Sequence, residues 1–153
     1  MRKLLVCVAC GALVGLSLVP FAGAERPVRE FVPAGDFTLS GSCSFDVAFH
    51  IVANKEYGLT FSNGATLVTG ALKVQLTNLS DPSKSVSLNI PGPGLSTVSG
   101  NGTVTIDARG PWLFFYPGAL VYATGHMTFT AGPGGTTLEQ LGGTSSDLCS
   151  VLA

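Results

Sequence analysis

The chain has 153 residues, with eight Lys and Arg against nine Asp and Glu and a net charge of −1. That length fits one domain plus a short targeting segment. The basic residues are scattered, and without the clusters that displace phosphate counterions, nucleic acid is excluded as a partner.

Residues 1–24 read as a secretory signal peptide. Arg2 and Lys3 give a positive start, Leu4 to Val19 is an unbroken apolar or small-residue run, and Pro20 ends it. Ala22-Gly23-Ala24 supplies the small-x-small pattern that a signal peptidase cuts after. The alternative, an uncleaved anchor, needs roughly 20 apolar residues; this run is shorter, so no membrane span is expected after cleavage. Cys7-Val8-Ala9-Cys10 has the spacing of a redox dithiol but lies inside the discarded segment. Cleavage leaves six basic against nine acidic residues, a net of −3, and two cysteines.

Residues 25–35, with Pro27 and Pro33, hold no period and read as an extended N-terminal arm. From Asp36 the chain alternates with period two, the mark of strands with one buried face. Phe45, Val47, Phe49 and Ile51 point one way, against Asp46, Ala48, His50 and Val52. Asn54-Lys55-Glu56 reads as a turn. Leu72, Val74 and Leu76 alternate with Lys73, Gln75 and Thr77, and Val86, Leu88 and Ile90 with Ser85, Ser87 and Asn89. Val104 and Ile106, then Met127, Phe129 and Ala131, continue the pattern. Thr137 to Leu141 fits either a helical turn or a last strand, and no long helix is predicted.

Turn chemistry separates these runs at Asn63-Gly64, Asp81-Pro82, Pro91-Gly92-Pro93-Gly94, Asn101-Gly102, Pro117-Gly118 and Pro133-Gly134-Gly135. The two Asn-Gly pairs predict type I′ hairpins. About eight to ten short strands at this spacing predict an all-β fold over residues 36–153, either an antiparallel β-barrel or a β-sandwich. The scarcity of charges to guard open edges favours the barrel.

Cys43 opens the first strong strand and Cys149 lies near the end of the sequence. A bond between them closes a loop of about a hundred residues, worth roughly 4–5 kcal/mol by chain entropy. A reactive thiol or metal pair would need a base or further ligands nearby, and the sequence offers none.

Enzymatic constellations are sparse. His50 and His126 would have to meet across strands to hold zinc or copper; two unrelated surface histidines are the simpler expectation, and no metal or cofactor is implied. No Gly-x-Ser-x-Gly elbow occurs. Asp46 and Asp107 are the nominal acid pair for glycosidase chemistry, although solvated strand faces account for both. Asn78-Leu79-Ser80 and Asn101-Gly102-Thr103 match the glycosylation pattern but read as turn residues.

The segment with most binding character is Pro111-Trp112-Leu113-Phe114-Phe115-Tyr116-Pro117. Alternation puts Trp112, Phe114 and Tyr116 on one face and Leu113 with Phe115 on the other. With Tyr122 nearby, the first set forms a candidate surface for a small apolar ligand or glycan. An aromatic core strand is the competing expectation.

The signal segment, Gly-Ser-Cys-Ser-Phe-Asp-Val around Cys43, Asp-Leu-Cys-Ser-Val-Leu-Ala around Cys149 and the Lys84–Ile90 strand resemble small exported actinobacterial-type β-proteins. That resemblance implies fold and export, and it transfers no functional residue. The expectation is a secreted, non-enzymatic β-domain binding a small apolar ligand, a glycan or a protein partner outside the cell. An extracellular hydrolase and a structural cell-surface component are the alternatives.

Overall fold

The structure is a computed structural model that describes residues 26–153; the segment read as a signal peptide lies outside the described residues. The chain runs β1 (Val28–Phe31), β2 (Phe37–Leu39), β3 (Val47–Asn54), β4 (Tyr57–Thr60), β5 (Thr66–Thr69) and β6 (Leu72–Asn78). It continues through β7 (Ser85–Ile90), β8 (Gly94–Val98), β9 (Val104–Arg109), β10 (Trp112–Tyr116), β11 (Ala119–Gly132), β12 (Gly135–Asp147) and a short helix, α1 (Leu148–Leu152). The described residues form twelve strands against the eight to ten expected, and the arm itself supplies one of them, β1.

Two antiparallel sheets result. The smaller has the order β2-β3-β6-β7, and the larger runs β1-β4-β5-β8-β9-β11-β10 with β12 also paired to β11. Neither closes, so the architecture is the sandwich and not the barrel. Open edges are guarded by other means than lysine. Beta-strand β2 has only three residues, β1 carries Arg29 and Glu30, and β12 is interrupted by a bulge opposite His126 and Met127.

The hairpins fall where the Asn-Gly pairs predict, with a different turn. Gly64 and Gly102 each sit at φ 82, but among the described residues no non-glycine has positive φ, so Asn63 and Asn101 are not in type I′ geometry. Gly64 N donates to Phe61 O and Gly102 N to Ser99 O, both at 2.9 Å. The result is a type I turn followed by a left-handed glycine. Each Asn side chain accepts from the residue two ahead, Ala65 N and Thr103 N.

Beta-strands β9 and β10 pair with β11 in a single continuous register, Val104↔Ala131 through Tyr116↔Ala119, broken only at Gly110 and Pro111. At that break the ribbon folds over on itself. Gly110 N donates to Gly125 O at 2.8 Å, and Gly125 pairs with Gly143 across β11 and β12. Gly125 and Gly143 have φ of 100 and 98. A Cβ on Gly125 would meet Gly142 O at 2.1 Å, and one on Gly143 would meet Thr124 O at 2.0 Å. Only glycine tolerates both the conformation and the approach. The concave side of the fold encloses a core of Ala108, Phe114, Ala123 and Met127.

The main core lies between the sheets. Val47, Phe49, Val74, Leu76 and Ile90 of the smaller sheet pack with Leu120 of β11 and with Leu148 and Leu152 of α1. Two ties lock α1 in place. Cys43 and Cys149 form the expected disulfide, with Cα atoms 5.4 Å apart, and buried Asn78 donates from Nδ2 to Leu152 O at 2.9 Å. Asn78 is therefore buried as well as a turn residue: its Oδ1 accepts from Ser80 N at 2.8 Å at the turn that follows β6. Asp147 caps the helix start by accepting from Cys149 N.

Candidate functional site

The corner where the folded ribbon meets the smaller sheet leaves a cavity of about 310 Å³. Phe49, Leu72 and Ile90 form its smaller-sheet wall. The larger sheet supplies Val68, Ser96 and Ile106 from three adjacent strands, and Trp112, Leu113 and Phe115 from β10. Phe49 lies near the start of β3, whereas Glu56, which also lines the space, lies just past its end. The cavity wall thus reaches from Phe49 to beyond the end of β3.

Trp112 reaches this wall because glycines make room for it. A Cβ on Gly94 would fall 2.3 Å from the indole ring, and one on Gly92 would fall 2.5 Å from it. The indole Nε1 donates to Pro93 O at 3.2 Å, and the ring stacks on Phe114 at 5.8 Å. Gly92-Pro93-Gly94 is a saddle for the tryptophan as well as a turn.

A phenylalanine trio stands at the other end. Phe37 stacks on Phe49 at 4.5 Å, and Phe115 lies 5.9 Å from Phe37 and 6.4 Å from Phe49. Phe37 and Phe115 are 42% and 44% exposed, so this aromatic group connects the cavity wall to solvent. Exposed phenylalanines beside an apolar cavity are the arrangement expected of a ligand entrance.

Glu56 is the charged group on the wall. Its backbone is pinned: Glu56 N donates to Asn54 Oδ1 at 2.9 Å, Val32 N donates to Glu56 O at 3.2 Å, and Asn54 Nδ2 donates to Val32 O at 2.7 Å. The carboxylate makes no ion pair among the described residues. Burial pushes its pKa above the ordinary value, because a low-dielectric wall disfavours the charged form.

The four aromatic residues singled out from the sequence do not form one surface. Trp112 lines the cavity. Phe114 is buried in the concave core and stacks on Phe129 at 5.2 Å. Tyr116 tilts against Phe129 at 6.1 Å. Tyr122 packs on the main core, and its hydroxyl reaches Asn89 O at 3.5 Å. Leu113 and Phe115, the opposite face of β10, line the cavity beside Trp112.

The candidate catalytic groups are also dispersed. His50, on the smaller sheet, bonds through Nδ1 to Asp36 Oδ2 at 2.7 Å. His126, on the larger sheet, bonds through Nε2 to Asp107 Oδ2 at 3.0 Å, with Arg109 on the other Asp107 oxygen at 3.6 Å. Asp46 precedes β3 and its backbone carbonyl accepts from Leu79 N. The described residues contain no group of three or more potential metal ligands. No helix among them is long and apolar enough to cross a membrane.

No protein-family model matches the chain, and neither a curated protein nor a solved structure is significantly similar to it.

Proposed function

We propose that the protein is a secreted, non-enzymatic β-sandwich that binds a small apolar ligand between its sheets. The observation that carries this reading is the cavity of about 310 Å³, whose walls are apolar apart from Ser96 and Glu56 and include half-exposed Phe115, with exposed Phe37 stacked on its wall residue Phe49. The volume lies at the small end of the range for ligand sites. At roughly 30 Å³ per water-sized group it accommodates about ten non-hydrogen atoms.

The secreted location belongs to the same reading. It is supported by the charged, apolar and small-residue pattern of residues 1–24 and by the Cys43–Cys149 disulfide, since disulfides persist in oxidising compartments. Kinship with small exported actinobacterial-type β-proteins is part of this proposal and rests on the sequence around those cysteines. Glu25 as the first residue of the exported protein, found by N-terminal sequencing, is the expected result; a retained Met1 overturns it.

Trp112, the single tryptophan of the chain, lines the cavity and reports occupancy. Titration with decanol is expected to shift its emission saturably. The same titration of a Leu72→Trp variant, whose added bulk fills the space, should show no saturable component. An unfilled response in both proteins, or equal binding by both, rejects the cavity as the site.

A further inference from the structure

Glu56 is not explained by the fold. It is the carboxylate on an otherwise apolar wall, and the neighbouring cations do not neutralise it. Arg29 is held over the Tyr57 ring at 3.8 Å. Lys55 makes no ion pair with it within 4 Å, and Glu30 on β1 adds no positive charge. Glu56 is half-buried, and a partly desolvated carboxylate without an ion-pair partner is disfavoured in its charged form; an opposite charge with N–H donors relieves it.

The backbone of Glu56 is nevertheless fixed by hydrogen bonds through Asn54 and Val32, so the side chain is presented from a defined point. That point lies beyond the end of β3, and the apolar wall runs from there toward Phe49 and Phe115. Ser96 is the second polar group on the wall; a neutral hydroxyl both donates and accepts and does not select a head-group charge.

We propose that the cavity takes an elongated apolar molecule with a single protonated amine, its head on Glu56 and its tail toward Phe49 and Phe115. This inference rests on the cavity being a ligand site and adds the charge and orientation of the ligand. Recognition is non-covalent: the ammonium donates hydrogen bonds to the carboxylate, while the tail removes apolar surface from water.

The test compares decylamine, decanol and decanoate, which share one tail, on the full exported protein, by Trp112 emission and titration calorimetry at neutral pH. Decylamine is expected to bind at least tenfold more tightly than decanol, and decanoate more weakly than both. Glu56→Gln should abolish the amine preference, read as the ratio of decylamine to decanol affinity within the variant. Glu139→Gln, which removes an exposed carboxylate from β12, should leave the preference intact and so controls for net charge. Equal affinities for the three probes, or equal effects of the two variants, overturn the head-group assignment while leaving the cavity as a site. Absence of binding by any probe overturns the cavity reading itself.

Discussion

Phe114 and Phe129 stack with ring centroids 5.2 Å apart, although the strand partner of Phe114 is Val121. Val121 precedes Phe129 by eight residues on β11, roughly 26 Å in a straight strand. Only a ribbon folded back at Gly110, Gly125 and Gly143 brings the two rings together. That corner also forms one side of the apolar cavity.

Gly125→Ala is therefore expected to destabilise the protein on the order of 3 kcal/mol, from left-handed strain and a collision with backbone. Gly134→Ala, where a Cβ meets nothing within 4 Å, should be close to neutral. Urea denaturation of the two variants checks this; equal midpoints would show that the corner does not need its glycine.

Phe114→Ala should cost about 3–5 kcal/mol, the usual range for a buried aromatic. Phe115→Ala removes a half-exposed ring and should cost much less while weakening ligand binding. Reversal of that order, in thermal melts and probe titrations, would contradict the division of β10 between buried Phe114 and cavity-lining Phe115.

This division shows how far the sequence was legible. Alternation correctly separated Trp112, Phe114 and Tyr116 from Leu113 and Phe115, because pairing with β11 preserves period two. It did not single out Leu113 and Phe115, which line the cavity together with Trp112, since strand periodicity does not reveal which side a distant element covers. In β3, Val47 and Phe49 were legible as core because one sheet face is simply buried. Glu56 carried no signal: within Asn54-Lys55-Glu56 a carboxylate reads as solvated, and its place on the cavity wall depends on strands distant in sequence. The closed-barrel expectation failed because edge protection came from short strands, a bulge and single charges instead of closure.

Removing the Cys43–Cys149 bond, which spans 106 residues, should lower stability by about 4–5 kcal/mol. Thiol titration of the denatured chain from Glu25 onward is expected to find no free cysteine, and two free thiols would contradict the pairing. Melting after reduction measures the loss.

Asn78→Ala should cost about 1–3 kcal/mol, because it leaves the Leu152 carbonyl without its buried donor. Asn78 and Asn101 also differ in accessibility. In a glycosylating host the exposed Asn101 site is expected to be modified and the buried Asn78 site is not, as peptide mapping would show.

The pH dependence of stability should have two limbs. Burial raises the Glu56 pKa above 4.5, so its contribution is full below that value and is lost as pH rises through the folded-state pKa. Asp36 and Asp107 are held below 3.8, Asp36 chiefly by the Ile51 backbone N–H and then by His50, Asp107 chiefly by its bond to His126. Their stabilisation is present above 3.8 and is lost as pH falls. Glu56→Gln should remove only the upper limb, so the stability of the variant relative to wild type should increase as pH rises above 4.5. A pH-independent difference in denaturation midpoints would contradict this.

Leu148 and Leu152 fill a core begun by Val47 and Phe49, and Asn78 and Cys43 wait for the same helix. For a chain that emerges N-terminus first, whether from a ribosome or through a membrane pore, the main core stays incomplete until residue 152 is free. Folding is timed by the chain itself: any piece that stops short of residue 148 lacks the part that closes it, and the passage stays open to a still-unfolded polypeptide until its final helix arrives.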